Sequence, residues 1–249
     1  MGYFSTFTNL TDYLDIMGTD NTYYFIGLMS GTSLDGIDLC YAQYIFVNNK
    51  WSFSIIAAKT YAYTTNISSP LATATASSAI EITRLDYELG EYFGNAINEF
   101  IDEFNISKSE INAIASHGHT IFHLPDERIT LQIGCGTTIA LKTGIPTINN
   151  FRLKDVRSGG QGAPLVPIGD RFLFNQNNTA YLNIGGFANI SLQQDNNHLG
   201  FDICPVNIVL NEWSQKLGKP YDDGGQFAQE GKMDTNLVHQ LNNLTRYTT

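Results

Sequence analysis

An apolar run, a turn of glycine and small polar residues, and a second apolar run occur twice in this chain, once near the start of each half. Residues 23–28 (Tyr-Tyr-Phe-Ile-Gly-Leu) pass through the turn 30–36 into the run 37–47, and residues 181–184 pass through Gly185-Gly186 into the run 187–192. A strand that returns at once across a glycine turn makes a hairpin. In the first half Asn48-Asn49-Lys50 turns the chain again into 51–59, which completes a β-meander. In the second half 200–203 reads as a third strand. Two halves that open alike predict a duplicated α/β architecture with a cleft between them.

Between the repeats, residues 81–104 carry the clearest helical pattern. Ile82, Leu85, Leu89, Phe93, Ile97, Phe100 and Ile101 recur at helical spacing, with Glu88, Glu91, Glu99 and Asp102 largely on other faces. Residues 111–115 read as a buried strand leading into His117-Gly118-His119, and 131–134 as a short strand. A short helix is expected over 137–143, stopped by Gly144, then a strand over 145–148. Residues 152–167 show no hydrophobic period and read as a long polar, glycine-rich loop, a kind that is often functional. Residues 168–174 read as helical, 175–178 as a linker and 208–217 as a helix. The organisation expected is a loose leader (1–22), a first domain (23–175) and a second (176–249).

Composition excludes several classes of partner. The chain has 14 Lys and Arg against 24 Asp and Glu, a formal net charge of -10. Duplex nucleic acid needs clustered basic residues, so no nucleic acid partner is expected. No run reaches about 18 apolar residues, so no membrane partner is expected either. Three well-separated cysteines, Cys40, Cys135 and Cys204, are no disulfide framework and fit a reducing cytoplasm.

Four places could carry chemistry. The segment Gly31-Thr32-Ser33-Leu34-Asp35-Gly36-Ile37-Asp38 lets backbone approach an anion and adds hydroxyl donors; a carboxylate there suits Mg²⁺ held through water. It is neither a Walker A loop nor a Rossmann turn, since no Gly-Lys-Ser/Thr follows and the next element is a strand. An ordinary hairpin remains the alternative. His117 and His119, with His123 nearby, lack the Cys or carboxylate partners of a tetrahedral metal site. In a strand they would share a face; hydrogen bonding at a strand end, or a satisfied structural role, are the two readings left. Arg152, Lys154, Asp155, Arg157 and Gln161 crowd one loop that either binds a sugar, carboxylate or phosphate or is merely solvated. Asp202 stands at a strand tip, where it either orients or deprotonates a water or hydroxyl, or simply caps a turn.

Taken together, the motifs resemble those of the anhydro-N-acetylmuramic acid kinase family. They are 25–38 (Phe-Ile-Gly-Leu-Met-Ser-Gly-Thr-Ser-Leu-Asp-Gly-Ile-Asp), 116–120 (Ser-His-Gly-His-Thr), 131–134 (Leu-Gln-Ile-Gly), 159–167 (Gly-Gly-Gln-Gly-Ala-Pro-Leu-Val-Pro), 183–189 (Asn-Ile-Gly-Gly-Phe-Ala-Asn) and 218–222 (Gly-Lys-Pro-Tyr-Asp). The resemblance implies an actin/hexokinase/Hsp70-like fold of two ribonuclease-H-like domains. It implies ATP and Mg²⁺, a homodimer, and a bacterial cytoplasmic enzyme of cell-wall recycling. The implied reaction opens the anhydro ring of 1,6-anhydro-N-acetylmuramic acid with water at C1 while O6 takes the γ-phosphoryl group. Residues 31–38 would be the first phosphate loop, with Asp35 on the metal through water, and Gly185-Gly186 the second. Asp202 would activate the water, and His117 and Gln161 would line the sugar.

Two local departures stand out. Asp202-Ile203-Cys204-Pro205-Val206-Asn207 replaces the family's common Asp-Thr-Gly-Pro-Gly-Asn, and His119 stands where glutamine is common. Family members also run well past Thr249, so an incomplete second domain and little or no kinase activity of this chain alone are expected. Two competing readings are another sugar kinase or phosphatase of the same fold, and a non-catalytic domain that binds a sugar or anhydromuropeptide without turnover.

Overall fold

In the computed structural model, the described residues are 21–31, 34, 36–174, 179–194 and 197–244. Strands β1 (Asn21–Ser30), β2 (Gly36–Val47) and β3 (Lys50–Ala62) form the expected meander. Asn48 and Asn49 both adopt positive φ, the conformation a two-residue hairpin with matching twist requires. β2 pairs antiparallel with both neighbours, and Ser30 opposite Ile37 closes its pairing with β1. The last two residues of the leader open β1; the rest of it lies outside the described residues.

Two further strands extend the sheet from β1. β4 (Ala113–Ser116) runs parallel to β1, and β7 (Thr147–Ile148) parallel to β4, giving the order β3-β2-β1-β4-β7. This mixed sheet with helices is an α/β fold. The chain between β3 and β4 carries α1 (Thr65–Thr73) and α2 (Ala79–Glu103). α2 begins where a capping box permits: Ser78 accepts from the Glu81 N–H, and the Glu81 carboxylate accepts from the Ser78 N–H at 2.8 Å. Its Leu85, Leu89, Phe93, Ile97 and Phe100 are buried in one core with Ile26, Leu28, Ile37, Leu39 and Ile114. Each such side chain contributes roughly 1.5–3 kcal/mol through burial, which is what fastens α2 to the sheet.

β5 (His119–Leu124) and β6 (Ile129–Ile133) form a separate antiparallel ribbon. α3 (Gly136–Thr143) ends at Gly144 in the left-handed region, as its sequence predicts. Residues 152–167 are not all loop: α4 (Leu153–Arg157) forms inside them, too short to show a period. α5 (Val166–Gly169) starts two residues before the expected helix and continues as a π-turn over Asp170–Phe174. The expected linker 175–178 lies outside the described residues.

β8 (Ala180–Ile184), β9 (Phe187–Gln194) and β10 (Asn197–Pro205) form a three-stranded sheet in the order β10-β9-β8. α6 (Asn207–Lys216), α7 (Gln226–Glu230) and α8 (Thr235–Asn242) follow. The described residues divide into two compact units. One falls within Met1–Asn183 and Asn189–Asp202, the other within Ile184–Ala188 and Ile203–Thr249. Among the described residues no helix is long and apolar enough to cross a membrane.

Candidate functional site

In the first unit, Ser30 opposite Ile37 is the last β1–β2 pair before the glycine turn. Leu34, at φ 58, donates its N–H to the Gly31 carbonyl at 3.3 Å. Gly36 is required by packing: a Cβ there would lie 2.3 Å from the Tyr61 carbonyl oxygen on β3. Ile37 buries its side chain completely, so only its backbone is left to a ligand. Asp38 is exposed and accepts a 2.5 Å hydrogen bond from Thr60 Oγ1. Thr32, Ser33 and Asp35 lie outside the described residues.

The second cluster gathers around Arg152, the only one of the loop's three basic residues that turns inward; Lys154 and Arg157 are exposed. Arg152 Nε donates to His117 Nε2 at 3.0 Å, and its Nη1 donates to the Gly162 carbonyl at 2.7 Å. Because His117 Nε2 accepts, its Nδ1 carries the proton and donates to the Gly118 carbonyl at 2.9 Å. Burial lowers the His117 pKa, the Gly118 carbonyl opposes this and the Arg152 charge adds to it, so the ring stays neutral near neutral pH.

Burial also lowers the Arg152 pKa, while the carboxylate of Asp202 on β10 raises it. Asp202 itself is exposed. Arg152 thus interacts with both His117 and Asp202, three residues drawn from well-separated stretches of chain, within one unit.

The Gly-Gly-Gln-Gly segment wraps α4. The Gly162 N–H donates to Asp155 Oδ2 at 2.7 Å, and the Gly160 N–H to the Asp155 carbonyl at 2.9 Å. Gly162 sits at φ +66, and a Cβ there would lie 2.4 Å from Val156 Cγ2, so only glycine fits. Gln161 is exposed between them. Burial and the Arg152 charge lower the His123 pKa, against a hydrogen bond to the Gln161 backbone. Among the described residues no three or more His, Cys, Asp or Glu side chains group as metal ligands, and the three histidines are hydrogen-bonding groups. His117 and His119 do not share a strand face, because Gly118, at φ +73, separates β4 from β5.

In the second unit, the Gly185-Gly186 turn docks on the start of α6. The Gly186 carbonyl accepts from Val206 N–H at 2.8 Å and Ile208 N–H at 3.3 Å, and the Gly185 carbonyl from Asn207 N–H at 3.3 Å. These amides are therefore already satisfied by the turn. Open space surrounds the Gly186 Cα where a Cβ would point.

Chemically, the first unit offers a rigidly held cation, a neutral imidazole and a solvent-facing carboxylate. Such a set can orient a polyhydroxylated or anionic ligand and present a base to a water. Arg152 is in the loop whose basic residues the sequence singles out, but its bond to His117, 35 positions away, has no local signal.

The sequence model of the family described as anhydro-N-acetylmuramic acid kinase matches residues 23–248. The anhydro-N-acetylmuramic acid kinase of Aliivibrio fischeri is 38% identical over 226 residues, covering 87% of this chain and 60% of that protein. That of Pasteurella multocida is 38% identical over 229 residues, covering 88% and 60%. That of Shewanella baltica is 40% identical over 228 residues, covering 88% and 61%. The chain thus spans about three fifths of the length of the curated relatives it matches. A solved structure of a Ppx/GppA family member from Aquifex aeolicus aligns at 13% identity with a TM-score of 0.37, covering 77% of this chain and 54% of that one. The match across nearly the whole chain settles the family: the chain belongs to the anhydro-N-acetylmuramic acid kinases.

Proposed function

We propose that this chain is the portion of an ATP-dependent sugar kinase that holds 1,6-anhydro-N-acetylmuramic acid beside the first phosphate turn. In this reading water attacks C1, the C1–O6 bond breaks, and O6 takes the γ-phosphoryl group of ATP. The products are N-acetylmuramic acid 6-phosphate and ADP, a step of cell-wall recycling in a bacterial cytoplasm. Asp202 takes the proton from the attacking water; a carboxylate within hydrogen-bond reach of that water suffices. Arg152 holds His117 in its Nδ1–H tautomer, leaving a fixed wall for the sugar with Gln161 at its rim. Gly31–Asp38 and Gly185-Gly186 are the two phosphate-facing turns. The rest of the catalysis is positioning and charge neutralisation.

The match over residues 23–248 carries this reading. It takes the sheet β3-β2-β1-β4-β7 as the first of two ribonuclease-H-like domains (23–175) of an actin/hexokinase/Hsp70-like fold, with 176–249 a partial second, and a homodimer as the assembly. Mg²⁺ accompanies the triphosphate. It usually takes one or two protein carboxylates and completes its shell with water and phosphate oxygens. The exposed Asp38 alone among described residues of the first hairpin offers one, already bonded to Thr60, while Asp35 is the ligand through water that the resemblance implies.

The exposed apolar side chains of the second unit favour one refinement: the chain alone binds the sugar with little or no turnover. Incubating the 249-residue chain with the anhydro-sugar, ATP and Mg²⁺, with product detection by mass spectrometry, tests both parts. Sugar binding without appreciable sugar phosphate is expected. Turnover at the rate of a full-length relative would refute the refinement, and absence of sugar binding by the folded chain would refute the function.

A further inference from the structure

A buried hydrogen-bonded post stands under the root of the first glycine turn. Ser30, the last residue of β1, is 2% exposed, and its Oγ lies 2.8 Å from His119 Nδ1 and 2.6 Å from the Tyr63 hydroxyl. His119 opens β5 and is 3% exposed; Tyr63 follows β3 directly. The three groups therefore join three segments, 33 and 89 positions from Ser30, at the point where β1 enters the turn. The post is braced from behind. The Tyr63 ring lies 5.5 Å from that of Tyr92 on α2, and the Tyr92 hydroxyl donates to the Ala62 carbonyl at 3.2 Å. Ser30 also pairs with Ile37 across the hairpin, and Gly31, its neighbour, accepts the Leu34 N–H.

We infer that His119 is a positioning residue: through Ser30, and together with Tyr63, it fixes where the Ser30–Gly31 backbone at the end of β1 meets a ligand. His119 is too deeply buried to touch a ligand itself, so its influence passes through the serine hydroxyl. A hydroxyl that bonds two rigid rings has one placement, and the backbone carrying it inherits that placement. Which ligand the turn serves rests on the reading above, a triphosphate; the positioning itself does not.

Amide exchange in the nucleotide-free chain tests the positioning, with the Leu34 N–H as reporter of its bond to Gly31. His119→Ala and the gentler Ser30→Ala are expected to speed Leu34 exchange about fivefold or more, while Ile114 in the core keeps its protection. His119→Gln, whose amide can reach the same hydroxyl, is expected to restore slow exchange. Calorimetric titration with ATP and Mg²⁺ should show about tenfold weaker binding for the two alanine variants and near-normal binding for His119→Gln. Unchanged Leu34 exchange in both alanine variants would overturn the inference. So would an equal speeding of Leu34 and Ile114, which would mark the post as general packing. If the wild-type chain binds no ATP, the triphosphate reading falls, and the exchange data alone still decide the positioning.

Discussion

The two glycine hairpins share a sequence plan but differ in what lies behind them. Behind the first, α2 lays Leu89, Phe93, Ile97 and Phe100 against Ile26, Ile37 and Leu39, and none of these seven exceeds 1% exposure. Behind the second, Leu182, Ile184 and Phe201 are each more than half exposed, as are Trp213 and Leu217 on and after α6. Among the described residues from 180 to 244, Ala188 alone is a buried hydrophobic. A hairpin is thus specified by its turn and its apolar runs, whereas a core needs a partner layer. The site follows the core: the bonds joining Arg152 to His117, and Ser30 to His119, are made where packing holds both ends.

The largest test of this contrast compares truncations on either side. Phe93→Ala should cost about 3–5 kcal/mol in urea unfolding, because it opens a cavity in a close-packed core. Trp213→Ala, more than half exposed, should stay within about 0.5 kcal/mol. Equal losses would break the comparison.

A step smaller is the pair of glycines. Gly162→Ala forces a side chain into the left-handed region against Val156, for about 2–4 kcal/mol, and should weaken binding of the anhydro-sugar in the same titration. Gly186→Ala, with open space around it, should leave the unfolding midpoint in place.

Acid should act on the first unit. The pKa values of His117, His119 and His123 are all lowered, chiefly by burial, from the ordinary 6.5. Above 6.5 neither the folded nor the unfolded chain protonates them appreciably, so the packing energy is intact. Below it the unfolded chain takes up protons that the folded one refuses, and stability falls as the pH drops toward the folded values. Urea midpoints followed from pH 7 to about 5 should decline, and His119→Gln should make the decline shallower. A flat profile would show that burial does not hold these rings neutral.

The smallest effect sharpens the contrast with two caps of the same kind. Ser78 caps α2 and Asp234 caps α8, where it accepts from Asn236 N–H at 2.9 Å and Leu237 N–H at 3.0 Å. Ser78→Ala should lower global stability by about 1 kcal/mol. Asp234→Ala should reduce helical circular dichroism slightly and leave the urea midpoint unmoved, since α8 has no buried residue.

Much of this organisation could be read from residue order alone, and for physical reasons. The meander announces itself through apolar runs and the Asn48-Asn49 turn, and α2 through its period and its Ser78–Glu81 cap. α1 could not be read: its sequence is Thr-Asn-Ile-Ser-Ser-Pro-Leu-Ala-Thr, poor in helix formers and interrupted by Pro70. α4 has only five residues, too few for a period. Within the candidate site, Asp202 and His117 could be picked out as chemistry-bearing types; His117 does follow the end of β4, but Asp202 lies within β10, which runs on to Pro205, and not at a strand tip as its sequence suggests. The couplings within the site could not be read, because Arg152 reaches His117 across 35 positions and His119 reaches Ser30 across 89. Tertiary packing makes such contacts, and local patterns carry no trace of them.

If the proposed function holds, the well-packed first unit carries a working sugar site by itself. Titration of the 249-residue chain with 1,6-anhydro-N-acetylmuramic acid, in the absence of nucleotide, addresses it directly. Saturable one-site binding is expected, weakened by Gly162→Ala and unchanged by Gly186→Ala. A folded chain that takes up no sugar would contradict it, as would binding that both glycine variants weaken equally.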